Sequence, residues 1–487
     1  MLARLLSLTI DKLFLASALL AIVSTIYLSF MLATGRMGLS ALIAILGSAL
    51  ILLPLYLCRN SDFLNRLLSY LSRGISESKR VFWILVVLGL ALRVLWYLVY
   101  PSRPQSDGIV YLSLADNLAQ GLAYLDDRGD YAYWPPGYSF FLMPFVYAFG
   151  KAAWLTIVLN LLLFVAAAWT AKGLLSQALG TPKGNLAVAL LAVWPNLIFS
   201  APAASKELLA LPLLTAAVWT YLIAVEGRRS VWGFSLLTGL LLGASSLTQP
   251  SLMLLPAAFA VHLFVAQVRV GRALAVLGLT VAGMIMVISP WSNRNQAVLG
   301  ASVPISTNGG DVFYRANNAD ATGGYQAKAE VDLRKFGEIE RGKLGYELGS
   351  KWIRENPVLF AQLAVKKTII FLGDNSYGVY WNLKRSLHVS DGQFVLFKAV
   401  SNLGWIALWL LILLPAFKTG WSWRAPVTVL IQTIFLYFFL IDCVYEAGSR
   451  HHMPLAGLLA VLMAGAFSRQ DVGFAENPDR PKAPSAA

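Results

Sequence analysis

Long apolar stretches separated by short polar ones run through most of the chain. A helix needs about 20 predominantly apolar residues to cross the hydrocarbon core of a bilayer, and such stretches recur along the sequence. The pattern predicts an all-α polytopic membrane protein with about 12 transmembrane helices, and with short amphipathic helices in the outer-face loops. The predicted spans are 13–33, 38–57, 81–100, 140–171 (long enough to be broken), 186–200, 206–225, 231–248, 251–268, 272–290, 396–416, 425–445 and 452–468.

The composition agrees with a membrane protein. Of 487 residues, 57% are hydrophobic and 13% are charged, and the mean hydropathy is +0.64, whereas soluble proteins have about 25% charged residues. The net charge of +14 does not indicate nucleic-acid binding, because Lys and Arg collect in the cytoplasmic loops of membrane proteins. Cys58 and Cys443 lie far apart in the sequence, so we expect neither a disulfide framework nor a thiolate metal site.

The basic residues predict the orientation. Loop 58–80 and the later short loops are rich in Lys and Arg, and all of them fall on one side if the N-terminus is cytoplasmic. We therefore expect a multi-pass protein of the inner (plasma) membrane, with the loops 101–139 and 291–395 on the periplasmic face. The apolar run 13–33 is too long for a signal-peptide core and has no small-x-small cleavage site, so it is expected to remain as a span.

The segment 358–373 is apolar but short, and Lys366 and Lys367 lie in its middle. If it crossed the membrane, the basic residues of the last short loop would be outside. It is therefore predicted to be an outer-face amphipathic helix in the headgroup region. The remaining predicted regions are a transmembrane core at 81–290, an outer loop region at 291–395, C-terminal spans at 396–468 and a disordered cytoplasmic tail at 469–487.

The stretch 100–138 is a polar loop between two spans, with five carboxylates and only two basic residues. Asp107 stands at the start of an amphipathic helix that ends near Gly121. One interpretation is that its carboxylate caps the helix, and the other is that it acts as a general base. The two are compatible, although capping would lower the pKa of Asp107 and weaken it as a base.

Helix geometry separates the other polar residues of this loop. Tyr111 lies one turn after Asp107 on the same face, whereas Asp116 points to the opposite side of an ideal helix. A joint site of Asp107 and Asp116 is therefore not expected. The remaining acids are predicted to be solvated, and they are Asp126, Asp127 and Asp130.

Ionisable residues also occur at the expected outer ends of later spans. Lys206 and Glu207 open the sixth span, where ionisable groups are costly and need partners. They either take part in function or form an interfacial pair in which Lys206 reaches to water. Arg294 ends the ninth span. A further group lies around the last two spans, namely Asp442, Glu446, Arg450, His451 and His452. An arginine suits a phosphate, and no metal is expected because adjacent histidines do not share a helix face.

At this point the sequence resembles a known family. The first outer loop reads D-G-x-x-Y-L-x-x-A-x-x-L-x-x-G and then W-P-P-G-Y. This pattern resembles that of the polytopic GT-C glycosyltransferases that use polyprenyl-phosphate sugars, in particular bacterial relatives of protein O-mannosyltransferases and of lipid A aminoarabinose transferase. The stretches 291–324 and 446–459 are similar to the outer-loop and last-span patterns of that group.

The resemblance implies a GT-C-like fold and an inverting transfer of a sugar, at the outer face, from a polyprenyl-phosphate donor to a glycan, lipid or protein acceptor. No cofactor is implied. By position it implies that Asp107 is the base toward the acceptor and that Arg450 and Glu207 belong to the site. The predicted site comprises Asp107 as the catalytic residue, Lys206, Arg294 and Arg450 at the donor phosphate, and Tyr111, Glu207, Asn308 and His451 at the substrate.

The chain departs from the family pattern in four places. Gly108 follows Asp107, where many relatives have Glu, and His451 stands where Tyr is common. Gln249 stands before a proline where relatives often have Arg, and the spans within 1–57 resemble an N-terminal addition.

Two other functions fit a chain of this kind. A transporter or lipid flippase usually shows inverted repeats and broken helices near the midplane, and neither is clear in this sequence. A polysaccharide polymerase or ligase would use diphosphate-linked glycans and would carry its main arginines in a large later loop, such as 291–357.

Overall fold

The structure is a computed structural model that describes residues 1–58, 61–62, 75–179, 184–227, 229–384, 389–419 and 426–467. Every regular element within these ranges is a helix. In chain order the helices are α1 (Leu2–Thr34), α2 (Met37–Leu57), α3 (Lys79–Val99), α4 (Asp107–Ala119), α5 (Gly137–Phe149), α6 (Leu155–Leu179), α7 (Asn185–Val193), α8 (Pro195–Phe199), α9 (Lys206–Glu226), α10 (Val231–Thr248), α11 (Pro256–Val265), α12 (Val270–Leu299), α13 (Gly309–Ala316), α14 (Glu338–Glu355), α15 (Pro357–Gly373), α16 (Tyr377–Leu383), α17 (Asp391–Thr419), α18 (Pro426–Val444) and α19 (Ala456–Phe467), with 3-10 turns at Pro250–Leu254, Leu333–Lys335 and Met453–Leu455.

Nine helices of the described ranges are long and apolar enough to cross a membrane, so the chain is an all-α, multi-pass membrane protein. They are α1, α2, α3, α6, α9, α10, α12, α17 and α18. Shorter apolar helices occur at Gly137–Phe149, Pro250–Val265 and Met453–Gly465. The total of twelve spans remains a prediction. The predicted tail 469–487 and most of the basic loop 58–80 lie outside the described residues.

Two of the predicted spans are each divided into two helices. The stretch 140–171 contains the end of α5 and most of α6, and Gly150 ends α5 with a φ of 66°, a conformation that favours glycine. The stretch 186–200 contains α7 and α8, which are separated at Trp194. Trp194 is extended because it precedes Pro195, and a proline disfavours the helical conformation of the residue before it.

A buried arginine provides hydrogen bonds to the carbonyl groups at the break between α7 and α8. Helix geometry would pair the Leu191 carbonyl with the N–H of residue 195, but proline has no N–H. Arg93 of α3 instead donates to the Leu191 carbonyl at 3.0 Å and to the Ala192 carbonyl at 3.2 Å. Its guanidinium lies 3.8 Å from the centre of the Phe164 ring. The charge of Arg93 is thus compensated by carbonyl oxygens and an aromatic face.

Helix α9 is at the centre of the bundle, because 83% of its apolar window is buried, against 17% for α2. It packs between α6 and α10. Helix α10 in turn approaches α12 closely where Gly239 lies against Gly283. A Cβ on Gly239 would lie 2.2 Å from the Thr280 carbonyl oxygen. Small residues allow such backbone contacts between membrane helices. The N-terminal end of α9 carries Lys206 and Glu207, so these two residues start the most buried helix.

Helix α15 covers the segment predicted as an amphipathic outer-face helix, and it is not among the long apolar helices. It packs along α1 and α18. Lys366 is exposed, but Lys367 is fully buried and donates to Asn317 Oδ1 at 2.9 Å and to the Val444 carbonyl at 3.1 Å. Lys367 therefore joins α15 to the ends of α13 and α18.

Three loop regions meet at one end of the bundle, which we call the loop face. They are the first loop (100–136), the second loop (300–356) and the last loop (445–452). The second loop binds the other two. Its Thr307 N–H donates to the Ala132 carbonyl of the first loop at 2.9 Å, and the Ala447 N–H of the last loop donates to the Gly323 carbonyl at 2.9 Å. Side chains from distant parts of the chain are therefore fixed relative to one another.

Candidate functional site

The site is centred on a contact between the first and last loops. Asp107, the first residue of α4, accepts a hydrogen bond from Arg450 Nη1 at 2.7 Å. The two side chains are 29% and 25% exposed, so the pair is open to solvent on one side. These residues are 343 positions apart. The structure thus brings together the acid and the arginine that the sequence motifs single out.

Glu207 is the second carboxylate of the site. It is only 2% exposed, and its Oε1 lies 3.6 Å from Arg450 Nε. Its Oε2 accepts a hydrogen bond from Ser205 Oγ at 2.6 Å. Arg450 therefore stands between a half-buried carboxylate and a buried one, with Lys206 beside them at the start of α9.

The backbone around Asp107 is adapted to this close approach. A Cβ on Gly108 would lie 2.8 Å from the Ala204 Cβ and 2.9 Å from the Ala204 carbonyl oxygen. Residue 108 must therefore be glycine for α4 to reach the segment that carries Lys206 and Glu207. Ser106 has a φ of 47°, which is uncommon for a residue with a side chain. It forms the turn that leads into α4, and its hydroxyl donates to Asp107 Oδ1 at 3.1 Å.

The charges around Asp107 keep it ionised. Burial alone would raise the pKa of Asp107, but the Arg450 guanidinium and, more weakly, Lys206 outweigh burial and hold the pKa below its usual value. The helix-cap interpretation is not found, because Ser106 occupies the N-cap position and the Asp107 side chain points to Arg450 instead. The low pKa thus comes from a cation and not from helix amides.

Three buried tyrosines lie around the carboxylates. Tyr111 is 1% exposed, packs edge-on against Tyr138, and its hydroxyl makes no hydrogen bond to the described protein. Burial, followed by the charge of Asp107, raises the pKa of Tyr111. Burial and the nearby Glu207 carboxylate likewise raise the pKa of Tyr377. Burial also raises the pKa of Tyr138, so all three keep their hydroxyl protons at neutral pH.

Arg294 and Asn308 lie elsewhere. Arg294 donates to the carbonyls of Tyr131 at 2.7 Å and of Tyr124 at 3.0 Å, and its guanidinium lies over the Trp291 ring. These two donors of Arg294 hold the first loop, and its place at the donor phosphate stays a prediction. Asn308 precedes α13 in the second loop, and its amide oxygen accepts a hydrogen bond from Ser306.

The acids of the first loop need a correction. Asp130 is buried and pairs with Arg341 of α14 at 2.5 Å. Asp126 accepts hydrogen bonds from the backbone of a turn and from Trp134 Nε1 at 3.0 Å. These two residues hold the loop together; Asp130 is buried and Asp126 is half-buried, whereas Asp127 is exposed.

His451, next to Arg450, is bonded through Nδ1 to Asp442 near the end of α18. The side chain of Asp442 is 5% exposed and that of His451 is 23% exposed. In the described part of the chain, no three His, Cys, Asp or Glu side chains are grouped so that they could hold a metal ion.

Comparison with known proteins shows similarity in structure only. No family model and no curated protein matches the sequence. One similar structure is the oligosaccharyltransferase AglB from Archaeoglobus fulgidus in complex with an inhibitory peptide and a dolichol-phosphate (TM-score 0.49, 12% identity, covering 80% of this chain and 49% of that one). Another is the oligosaccharyltransferase from the same organism in complex with zinc and sulfate (TM-score 0.48, 13% identity, 79% and 48%).

A third similar structure is ArnT from Cupriavidus metallidurans bound to undecaprenyl phosphate (TM-score 0.40, 14% identity, covering 78% of this chain and 77% of that one). The chain spans about half the length of the oligosaccharyltransferase chains. These proteins are glycosyltransferases, the class that the sequence motifs resemble. Because all three TM-scores are below 0.5, the function proposed below rests on the site itself.

Proposed function

We propose that the protein is an integral-membrane glycosyltransferase that transfers a sugar from a polyprenyl-phosphate donor to an acceptor at the loop face. The observation that carries the proposal is the contact of Asp107 with Arg450 beside Glu207 and Lys206. These groups lie at helix ends and in loops, where a lipid-anchored donor can present its head group while its polyprenyl chain stays in the bilayer. The positive-inside pattern of the sequence supports the periplasmic side for this face.

In the proposed reaction Asp107 takes the proton of the acceptor hydroxyl as that oxygen attacks the anomeric carbon of the sugar. The bond from the anomeric carbon to the phosphate oxygen breaks, and the polyprenyl phosphate leaves with one more negative charge. Arg450 and Lys206 stabilise this charge as cations already in place. An inverting transfer of this kind needs one base on the acceptor side, and general base catalysis contributes about 10²–10⁴-fold.

The position of Arg450 makes the base strength of Asp107 depend on the donor. In the structure the guanidinium holds the pKa of Asp107 low, which makes its carboxylate a weak base. A donor phosphate that binds Arg450 takes over part of the guanidinium's hydrogen bonding and charge. The pKa of Asp107 then rises toward its usual value, so that the carboxylate becomes a stronger base when the donor is bound.

The same placement argues against a transporter. Asp107 opens α4, Lys206 opens α9, and Arg450 lies in the last loop, so the cluster is at helix ends and not at mid-membrane. A polymerase or ligase acting on diphosphate-linked glycans would need arginines of the second loop free for a larger anion. Arg315 and Arg341 of that loop are paired with Glu446 and Asp130 and are only 16% and 5% exposed, against 25% for Arg450.

The test uses membranes that contain the protein and a panel of polyprenyl-phosphate sugars. The wild type should consume one of them, and Asp107→Asn should slow its consumption by about 10²–10⁴-fold. Asp116→Asn is the matched control, because Asp116 lies on the same helix and pairs with Lys151 at 2.8 Å, outside the cluster. Its rate should stay within about twofold of the wild type, since exposed ion pairs contribute little. Unchanged turnover in Asp107→Asn would remove Asp107 as the base.

A further inference from the structure

Asp442 and His451 form a hydrogen-bonded pair next to Arg450, and neither residue has a role in the transfer described above. Asp442 is buried and holds His451 through Nδ1, which fixes the orientation of the ring and leaves Nε2 as the free nitrogen. Gly448 packs against the ring, since an added Cβ there would lie 3.4 to 3.6 Å from Nε2, Cε1 and Cδ2. The His451 side chain is 23% exposed, so the ring is accessible from solvent.

The surroundings of the ring favour the imidazolium. Burial alone would lower the pKa of His451, but the charge and hydrogen bond of Asp442 outweigh burial and raise it above its usual value. The other charged groups that act on the ring are Arg450, which opposes protonation, and Glu446, which supports it. His452, the next residue, is neutral, because burial lowers its pKa to about 3. Protonation of His451 is thus favoured one residue from Arg450.

We propose that His451, oriented by Asp442 and accessible from solvent, binds the phosphate of the polyprenyl carrier as a second cation beside Arg450. This inference rests on the proposed function, and it names the part of the site that recognises the departing product. The donor phosphate is a diester with one negative charge, whereas the released polyprenyl phosphate is a monoester that approaches two. Added positive charge at Nε2 therefore acts more strongly on the leaving group than on the donor.

The experiment measures binding, so that the identity of the sugar is not needed. Undecaprenyl phosphate is titrated into the full-length protein in detergent micelles, and binding is followed by the intrinsic tryptophan fluorescence. Undecaprenol, which has the same chain without a phosphate, is the control ligand. The wild type is compared with His451→Gln and Asp442→Asn at about pH 6 and about pH 9.5, on either side of the expected histidine titration.

His451→Gln should weaken binding of undecaprenyl phosphate about tenfold at low pH, the effect expected for one lost charge-assisted hydrogen bond at a partly exposed site. The difference from wild type should shrink at high pH, because the raised pKa means that the imidazolium is present at low pH and lost as the pH rises through it. The ratio of the two affinities cancels the titration of the phosphate itself. Asp442→Asn should move this loss to lower pH.

The possible failures are distinct. If the wild type binds undecaprenyl phosphate no better than undecaprenol, the proposed donor class is wrong. If the wild type discriminates between them but His451→Gln binds as tightly at both pH values, the proposed function stands and the role of His451 is wrong. A loss in His451→Gln that is equal at both pH values, together with an unmoved profile in Asp442→Asn, would assign the pair a structural role and overturn the inference.

Discussion

Arg450 balances two carboxylates, and removing its charge tests that arrangement most directly. Arg450→Met keeps an unbranched apolar stem but leaves Asp107 and Glu207 without a cation in contact. Asp107 is 29% exposed and can be hydrated, whereas Glu207 retains only the hydrogen bond from Ser205. The cost of the substitution should therefore come mainly from the buried carboxylate.

The size of this cost follows from the geometry. At the 3.6 Å that separates Arg450 Nε from Glu207 Oε1, Coulomb's law gives about 4.6 kcal/mol at an effective dielectric constant of about 20. Solvent reaches a quarter of the Arg450 side chain, which reduces this value. Breaking a buried ion pair from one side costs about 3–5 kcal/mol. We expect Arg450→Met to lower the free energy of unfolding by about 3 kcal/mol.

Combining Arg450→Met with Glu207→Gln tests the interaction between Arg450 and Glu207. Adding Glu207→Gln to Arg450→Met removes the uncompensated charge and should restore about 2 kcal/mol of the lost stability. Adding Asp107→Asn to Arg450→Met is the matched control, and it should restore about 1 kcal/mol or less because Asp107 is partly exposed. Glycosyl transfer should stay abolished in all three variants, because the phosphate has lost its arginine. Unfolding midpoints in denaturant, measured in micelles, give the stabilities.

A purely additive result would refute this reasoning. If Glu207→Gln lowers the stability as much in the Arg450→Met background as it does in the wild type, Arg450 is not the counter-ion of Glu207. The charges at the site would then be independent. Restored stability together with restored transfer would instead show that Arg450 contributes only to folding.

Two further substitutions test the scaffold of the site. Arg93→Met should lower the unfolding free energy by about 2–5 kcal/mol, because it leaves the Leu191 and Ala192 carbonyls unpaired beside Pro195; Arg93→Lys should fall between it and the wild type, and an unchanged unfolding midpoint would contradict this role. Asp130→Asn should cost about 3 kcal/mol, because it breaks the buried pair with Arg341. Limited proteolysis should then cut the first loop faster, and a cleavage rate equal to that of the wild type would show that this pair does not hold the loop.

The sequence predicts the helical class and places Asp107 and Arg450 in one site. Apolar run length is a local property, so most of the long helices fall where the hydropathy indicates. Asp107 and Arg450 could be assigned to one site because both lie next to apolar segments on the same expected side and both belong to motifs. The breaks within the predicted spans 140–171 and 186–200 also have local causes, Gly150 and Pro195, which are visible in the sequence. A count of apolar residues does not detect them.

The loop contacts could not be predicted in this way. Arg294 and Asp130 are ordinary charged residues in the sequence, and their burial depends on partners that are more than 160 positions away. Glu338 similarly accepts hydrogen bonds from the N–H groups of Tyr131 and Ala132, across about two hundred residues. From the sequence alone, a charged residue in a loop is expected to be exposed to solvent unless its partner is known. The structural role of these residues therefore appears only in the folded chain.

Glycine at position 108, where many members of the resembling family have Glu, has a steric cause. It limits the number of carboxylates that the first loop can bring to the site. An acidic side chain at residue 108, as in the Asp-Glu pattern of the resembling family, would collide with Ala204, because even a Cβ there lies 2.8 Å from the Ala204 Cβ. The contact that excludes this side chain is the same contact that brings α4 against the start of α9. Glu207 is the second carboxylate in contact with Arg450, at 3.6 Å from Nε. One loop acid at the solvent side and one buried helix acid give the two carboxylates different exposure, and only Asp107 is accessible enough to meet an acceptor hydroxyl.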